Sequence, residues 1–111
     1  MINLIEDNLE QIHELCERFH VQRLEVFGSA ADGRYREGES DLDFIVEFQP
    51  LAPGALARAF FGLLRALEAL FRVRVDLLTL KPEYDVNPHL RAEIEQARRV
   101  VYERHTQAVP V

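Results

Sequence analysis

The sequence predicts a small α/β domain, and three observations support this fold class. Apolar residues recur at helical spacing in two long segments, short apolar runs typical of strands lie between and after them, and the two patterns alternate along the chain. A chain of 111 residues can bury one hydrophobic core and is too short for two. We therefore expect a single domain over residues 1–111, built as an α/β sandwich on a small sheet.

The first part of the chain predicts a helix, a strand and a turn. A helix is expected from Leu4 to Phe19, because apolar side chains recur there every three or four residues: Ile5, Leu9, Ile12, Cys16 and Phe19. The apolar run Val21–Phe27 predicts a strand that ends at the turn Gly28-Ser29. A short helix can follow that turn, and the charged, glycine-containing segment 32–40 is expected to be an exposed loop.

The middle of the chain predicts a second strand and the longest helix. Residues 41–48 alternate, with one apolar side (Leu42, Phe44, Val46 and Phe48) and one acidic side (Asp41, Asp43 and Glu47). Ile45 interrupts the acidic side, which is expected if part of that side is also covered. Pro50, Pro53 and Gly54 indicate a linker, after which a wide apolar face predicts a helix up to Phe71.

The last third of the chain is less regular. Residues 73–80 predict a third strand in which Asp76 points away from the apolar side. A proline-containing loop over 81–88 precedes a helix that begins at Pro88 and runs to Ala97. Residues 100–102 either finish that helix or form a short edge strand, since periodicity does not decide between them. Residues 105–111 show no pattern and are expected to be a loose tail.

Charge and composition favour a cytoplasmic protein that does not bind nucleic acid directly. The net charge of −6 disfavours broad binding to a DNA or RNA backbone. The acidic N-terminal residues do not resemble a secretory signal, and charged residues interrupt the longest apolar stretch, so no membrane span is expected. The single cysteine, Cys16, cannot form an internal disulfide and is expected to be a buried thiol.

Three aspartates are the candidate site. Asp41 and Asp43 lie two residues apart on one predicted strand, so their carboxylates point the same way, and Asp76 occupies another strand. Oxygen-only ligands favour Mg²⁺, and such carboxylates can hold two cations about 3.5–4 Å apart. Asp76 can also act as the base for an acceptor hydroxyl. Gly28 lets the backbone approach a phosphate, and Ser29 offers an amide and a hydroxyl to it.

Each of these signals has an ordinary explanation when taken alone. Asp41 and Asp43 could be solvated residues at the start of a strand, and Asp76 could pair with Arg74. Their joint order along the chain (strand, Gly-Ser, loop, strand with two aspartates, helix, strand with one aspartate) favours a nucleotide site. The four histidines lack ligand spacing and are expected to be surface or packing residues.

These motifs resemble the nucleotidyltransferases of the DNA polymerase beta superfamily, and in particular the minimal nucleotidyltransferase (MNT) domains. The resemblance covers nearly the whole chain and is carried by residues 24–29, Gly33, residues 40–43, residues 75–77 and residues 87–91. It implies a polymerase-beta-like core, with a small mixed sheet of three or four strands flanked by about four helices. It assigns Gly28 and Ser29 to nucleotide binding and Asp41, Asp43 and Asp76 to two Mg²⁺ ions and to catalysis.

The resemblance also implies a partner and a reaction. MNT proteins of this kind pair with HEPN-domain ribonuclease toxins and restrain them by transferring AMP from ATP to a tyrosine hydroxyl. One departure motivates an alternative, because Ala30 and Asp32 stand where the family usually has basic residues. Arg34 or Arg36 would then have to supply the positive charge, or the protein neutralises its partner by contact alone. A small-molecule nucleotidyltransferase of the aminoglycoside-modifying kind is a third possibility.

Overall fold

The computed structural model describes residues 3–28, 41–79 and 98–104. Two helices, α1 (Asn3–Glu6) and α2 (Leu9–Arg18), precede the antiparallel strands β1 (Val21–Phe27) and β2 (Leu42–Phe48). Helix α3 (Pro53–Phe71) then leads to β3 (Val75–Leu78), and β4 (Arg99–Glu103) follows. The sheet order is β3-β2-β1-β4, with β2 and β3 parallel and the other pairs antiparallel, so the predicted small mixed sheet is confirmed.

Several expectations lie outside the described residues. They are the residues Ser29, Ala30 and Asp32, the loop over 32–40, the helix from Pro88 to Ala97, and the tail 105–111. These stay predictions.

The predicted first helix is two helices with a break at Asn8. The Asn8 side-chain amide donates a hydrogen bond to the Leu4 carbonyl oxygen at 2.8 Å, and its backbone (φ −118°, ψ 16°) is not helical. An asparagine side chain that bonds to the backbone competes with the helical hydrogen bonds, which explains the break. The apolar periodicity continues across it, because Ile5 and Ile12 are both fully buried.

The core lies between the helices and one face of the sheet. Alternate strand residues point into it, among them Leu24, Val26, Leu42, Phe44, Val46, Val75 and Leu77. Helix α2 packs on β1 and β4, while α3 packs on β3 and on α2. Cys16 is buried in this core, as predicted, and burial raises the pKa of its thiol to about 12. A thiol with that pKa stays protonated near neutrality and is chemically inert.

Helix α3 begins earlier than predicted. Pro53 and Gly54, interpreted as linker, form its first turn, because proline at the first helical position lacks only an N–H that would have no partner there. The helix ends at Phe71 and is capped by Arg72, whose φ of 57° is left-handed and whose amide donates to the Glu68 carbonyl oxygen at 2.8 Å. It crosses over between the parallel strands β2 and β3.

The alternative left open for residues 100–102 is resolved in favour of a strand. β4 pairs with β1, and the register shifts between Leu24 and Glu25. His13 fixes β4 from the helix side, since its Nε2 lies 2.9 Å from the Val101 carbonyl oxygen and its ring meets Tyr102 edge-on. The predicted third strand is shorter than expected, because only Val75–Leu78 pair with β2.

Within the described part of the chain, no helix is both long enough and apolar enough to cross a bilayer.

Two glycines of α3 provide a matched test of the packing. A Cβ at Gly54 would meet only the Arg58 side chain, at 3.6 Å, whereas a Cβ at Gly62 would lie 2.5 Å from the Phe19 ring. Gly54→Ala should therefore stabilise the protein by up to about 1 kcal/mol, the helix-propensity gain. Gly62→Ala should be less stable than Gly54→Ala by at least about 1 kcal/mol, because the Phe19 ring must move. Urea unfolding of both variants measures this; equal stabilities would contradict the close contact between α3 and Phe19.

Candidate functional site

Two of the predicted site residues, Asp43 and Asp76, lie on the face of the sheet opposite the core. β2 is the central element, because Asp43 pairs with Phe27 of β1 on one side and with Asp76 of β3 on the other. Directly paired residues of neighbouring strands point to the same face. Asp43 and Asp76 are therefore side by side, on the face that the alternation of β2 and β3 predicts.

Gly28 makes room for the Asp43 carboxylate. It follows β1 directly, and its φ of 71° is left-handed, a conformation that glycine adopts without steric cost. A Cβ added at this position would lie 2.9 Å from Asp43 Oδ2. The glycine therefore has two roles. It allows the left-handed turn, and it lets the turn backbone lie close to the Asp43 carboxylate.

The Asp43 carboxyl group is held in an unfavourable environment for its charge. Partial burial, a side-chain hydrogen bond with Asp76, and the charges of Asp76 and Asp41 raise its pKa from 3.8 to about 6. Two neighbouring carboxylates without a cation share a proton for this reason. The pair is thus arranged to receive positive charge.

Asp41 occupies a different position from the one predicted. It precedes β2, which begins at Leu42, and is not a member of the strand. Its charge acts on Asp43, but among the described residues no group of three His, Cys, Asp or Glu side chains converges as a metal site. The structure brings Asp43 and Asp76 together and leaves Asp41 at the edge of the pair.

The donor set fits a hard divalent cation. Asp43, Asp76 and Asp41 offer carboxylate oxygens alone, which suits Mg²⁺ and disfavours zinc. The specific observation is that Asp43 and Asp76 are in register on neighbouring strands, because a cation between them would relieve the repulsion that raises the pKa of Asp43. Asp43 and Asp76 would hold it, with the charge of the nearby Asp41 adding to the attraction.

A buried charge cluster on the same face was not predicted from the sequence. Glu25 is only 4% exposed, and its two carboxylate oxygens lie 2.6 Å from Arg23 Nε and 3.1 Å from Arg98 Nε. Arg23 also reaches Glu103, at 3.3 Å. The cluster lines a cavity of about 200 Å³ with Ile45 and Glu47. Glu25 stands at a polar position of a strand, and nothing in the local pattern indicates that it is buried.

Comparisons with known proteins identify the family of the chain. The family model described as "Nucleotidyltransferase domain" matches residues 9–101. The protein adenylyltransferase MntA of Thermococcus cleftensis is 45% identical over 65 residues, which are 59% of this chain and 62% of that protein. A Methanocaldococcus jannaschii protein provisionally named a protein adenylyltransferase is 41% identical over 66 residues, 60% of this chain and 72% of its own. The chain thus spans about three fifths of the length of the Thermococcus relative.

Solved structures share the fold. A protein provisionally described as a minimal nucleotidyltransferase has a TM-score of 0.59 and 33% identity, covering 88% of this chain and 95% of that one. A toxin–antitoxin complex with AMP-PNP has a TM-score of 0.63 at 22% identity, over 90% of this chain and 75% of that one. A complex of an MNT antitoxin with a tri-AMPylated HEPN toxin of Shewanella oneidensis has a TM-score of 0.57 at 18% identity. The match covers 90% of this chain and 73% of that one. At those last two identities the likeness concerns the fold alone.

Gly28→Ala should disturb both the turn and the carboxylate. The substitution forces an L side chain into a left-handed conformation and against Asp43 Oδ2, so we expect a loss of about 1–2 kcal/mol in unfolding free energy. In an Asp43→Ala background the contact disappears, and the loss should shrink by about 0.5–1 kcal/mol. A double-mutant cycle by denaturant unfolding measures this coupling, and strict additivity would show that the two residues do not touch.

The raised pKa of Asp43 predicts how stability depends on pH. The folded state holds the proton up to about pH 6 and the unfolded state releases it near 3.8, so the contribution of Asp43 to stability falls as the pH rises through that window. Asp43→Asn should match the wild type below the window and exceed it at pH 7 by about 1–2 kcal/mol, after discounting for solvent. Unfolding is followed from pH 3.5 to 7.5 in EDTA, with exposed Asp7→Asn as control. A difference that does not change with pH would contradict the shared proton.

Proposed function

Because the chain belongs to the nucleotidyltransferase domain family, we propose that it transfers AMP from ATP, with Mg²⁺, to a tyrosine hydroxyl of a HEPN ribonuclease toxin, and so acts as its antitoxin. The observation that carries the proposal is the Asp43–Asp76 carboxyl pair beside Gly28. We place this activity in a single cytoplasmic domain, in which ATP is the donor.

The known relatives support the choice of reaction and partner. Two proteins that share more than two fifths of their residues with this chain over the aligned region carry the name protein adenylyltransferase, one of them provisionally. One structural neighbour contains AMP-PNP and another contains an AMPylated HEPN toxin. Transfer of AMP to a protein is therefore preferred over transfer to a small molecule such as an aminoglycoside.

The residues of the chain have distinct roles in this reaction. Gly28, with the neighbouring Ser29, offers backbone N–H groups to the triphosphate. Asp76 accepts the phenolic proton as the tyrosine oxygen bonds to the α-phosphorus, while the bond from that phosphorus to the bridging oxygen breaks and pyrophosphate leaves. Asp43 lies between Asp76 and Gly28: it is in register with Asp76, and its carboxylate lies close to Gly28.

The carboxylates also bind the metal. Asp43, Asp76 and Asp41 would hold Mg²⁺, which neutralises phosphate charge and lowers the pKa of the attacking hydroxyl when it is bound. Partial burial strengthens Asp43 as a ligand, because fewer water molecules compete for its oxygens.

The direct test is the mass of the partner. The purified pair is incubated with ATP and Mg²⁺, and the toxin should gain one AMP for each modified tyrosine. Asp43→Asn should reduce the transfer rate by about 10²-fold or more, because it removes a carboxylate that stabilises the transition state through the cation. Asp7→Asn, which changes the same charge at an exposed position, should transfer at the wild-type rate. A toxin of unchanged mass, with both proteins folded, would refute the proposal.

A second candidate function is neutralisation by contact alone. It is favoured because Asp41 is not part of the carboxyl pair and because Ala30 and Asp32 replace the usual basic residues. In that case the double variant Asp41→Ala with Asp43→Ala should still block the ribonuclease activity of the toxin. Loss of protection in this variant, with complex formation retained, would exclude contact as the mechanism.

A further inference from the structure

Two neighbouring cavities share Leu51, which lies in the connection between β2 and α3, as a common wall. The smaller cavity, of about 290 Å³, lies between the end of α2 and the first turns of α3. The larger cavity, of about 550 Å³, is lined mainly by apolar residues of β2, the connection and α3, among them Phe48, Pro50, Leu56, Phe60 and Phe61. We name the two cavities together the β2–α3 groove.

The larger cavity presents aromatic surface to solvent. Phe61 is 55% exposed, which is the highest value for a large apolar residue in the described part of the chain. Its ring meets the Phe60 ring edge-on, with 5.3 Å between the two centroids. Exposed aromatic surface at a cavity of this size is typical of a binding site, because a side chain that enters the cavity removes apolar area from water.

The smaller cavity is basic. Arg18, His20 and Arg58 line it, and no described carboxylate does. Both arginines are exposed, and neither forms a salt bridge with another residue that the structure describes. Because the net charge of the chain is −6, this cavity is a local positive region on an acidic protein. It therefore attracts carboxylates.

The two ends of the groove define the chemistry of its occupant. A large apolar side chain fits the larger cavity, and neighbouring carboxylates pair with the arginines of the smaller one. An acidic peptide segment supplies both groups, since residues of an extended chain follow each other at about 3.3 Å. A nucleic acid strand suits the basic end alone, because Glu47 lines the larger cavity and repels phosphates.

A second copy of this chain does not supply this combination from its described residues. The outer face of α2 is acidic, with Glu10, Glu14 and Glu17 exposed. The large apolar residues that are exposed in the described part of the chain lie instead on α3, β3 and β4. An acidic surface without an apolar side chain would leave the larger cavity empty, so the groove fits a different protein.

We propose that the β2–α3 groove docks an acidic segment of a partner protein. One large apolar side chain of the segment packs on Phe60 and Phe61, and its carboxylates pair with Arg18 and Arg58. The groove thereby gives the protein an interaction surface of its own, which does not depend on the reaction proposed above.

The groove is separate from the carboxyl pair. Among the residues of β2 that line it, Glu47 is the nearest one on the face that carries Asp43. These two residues are four positions apart, which corresponds to about 13 Å along a strand. A segment docked in the groove therefore leaves Asp43 and Asp76 uncovered.

A labelled peptide tests the groove directly. The acetylated peptide EDLFDE, labelled with fluorescein, should bind the full chain with a dissociation constant on the order of 100 μM, and added salt should weaken the binding. The peptide KKLFKK reverses the charge, and EDSSDE removes the apolar pair. Each should bind about tenfold more weakly, since each satisfies one end of the groove alone. Equal binding of the three peptides, or tighter binding of a single-stranded oligouridylate, would overturn the proposal.

Paired variants locate the binding. Arg58→Glu and Phe61→Ser should each weaken the binding of EDLFDE by about fivefold or more. Arg65→Glu makes the same charge change on α3 outside the two cavities, and Val100→Ser alters an apolar residue that is 45% exposed on β4. Both controls should bind within about twofold of the wild type. Equal weakening by Arg58→Glu and Arg65→Glu would show an effect of net charge alone and would refute the site.

Urea unfolding of the same variants distinguishes a docking surface from a surface that the chain itself fills. Phe61→Ser and Val100→Ser should have similar unfolding midpoints, because both replace side chains that are about half exposed. A clearly lower midpoint for Phe61→Ser, together with no binding of EDLFDE, would assign the groove to the chain itself and exclude the partner segment.

Discussion

The register of strand β2 is the constraint on which the site depends. Because β2 pairs with β1 on one edge and with β3 on the other, a single alignment places Phe27, Asp43 and Asp76 in one row and Leu24, Val46 and their neighbours in the core. A slip of one residue would turn Asp43 into the core and Phe44 into the solvent. The hydrophobic core therefore fixes the geometry of the carboxylates, although none of its side chains belongs to the site.

This constraint explains how like charges are tolerated at the centre of the sheet. Placing Asp43 beside Asp76 costs free energy, as the raised pKa of Asp43 shows, and the cost is borne by burial elsewhere. Phe44, Leu42 and Val46, on the opposite face of the same strand, are almost completely buried. The strand thus carries buried apolar residues on one face and the unfavourably placed Asp43 on the other, and the fold keeps this anionic site at the expense of some stability.

The sequence predicted the faces on which Asp43 and Asp76 lie, but it did not predict the surroundings of these residues. A period of two in residues 42–48 and 75–78 is a local signal, so the faces of Asp43 and Asp76 could be inferred from it. The burial of Glu25 could not, because its partner Arg98 comes from a distant part of the chain and the pairing of β1 with β4 is long-range. The break at Asn8 was missed because apolar periodicity continues across it, and the start of α3 was missed because proline marks both loops and first helical turns.

The pairing of β4 with β1 has a consequence for the order of assembly. Gln22 donates to the Arg104 carbonyl oxygen at 2.9 Å across a sequence separation of 82 residues, whereas β1, β2 and β3 are joined by much shorter connections. Contacts between distant segments carry a larger loop-closure entropy and form later. During synthesis on the ribosome, the carboxylates would come together in an intermediate that still lacks Val100 and Arg98. Completion of the sheet therefore depends on the docking of β4, so the carboxyl pair can form before the ion pair between Arg98 and Glu25 that lies beside it.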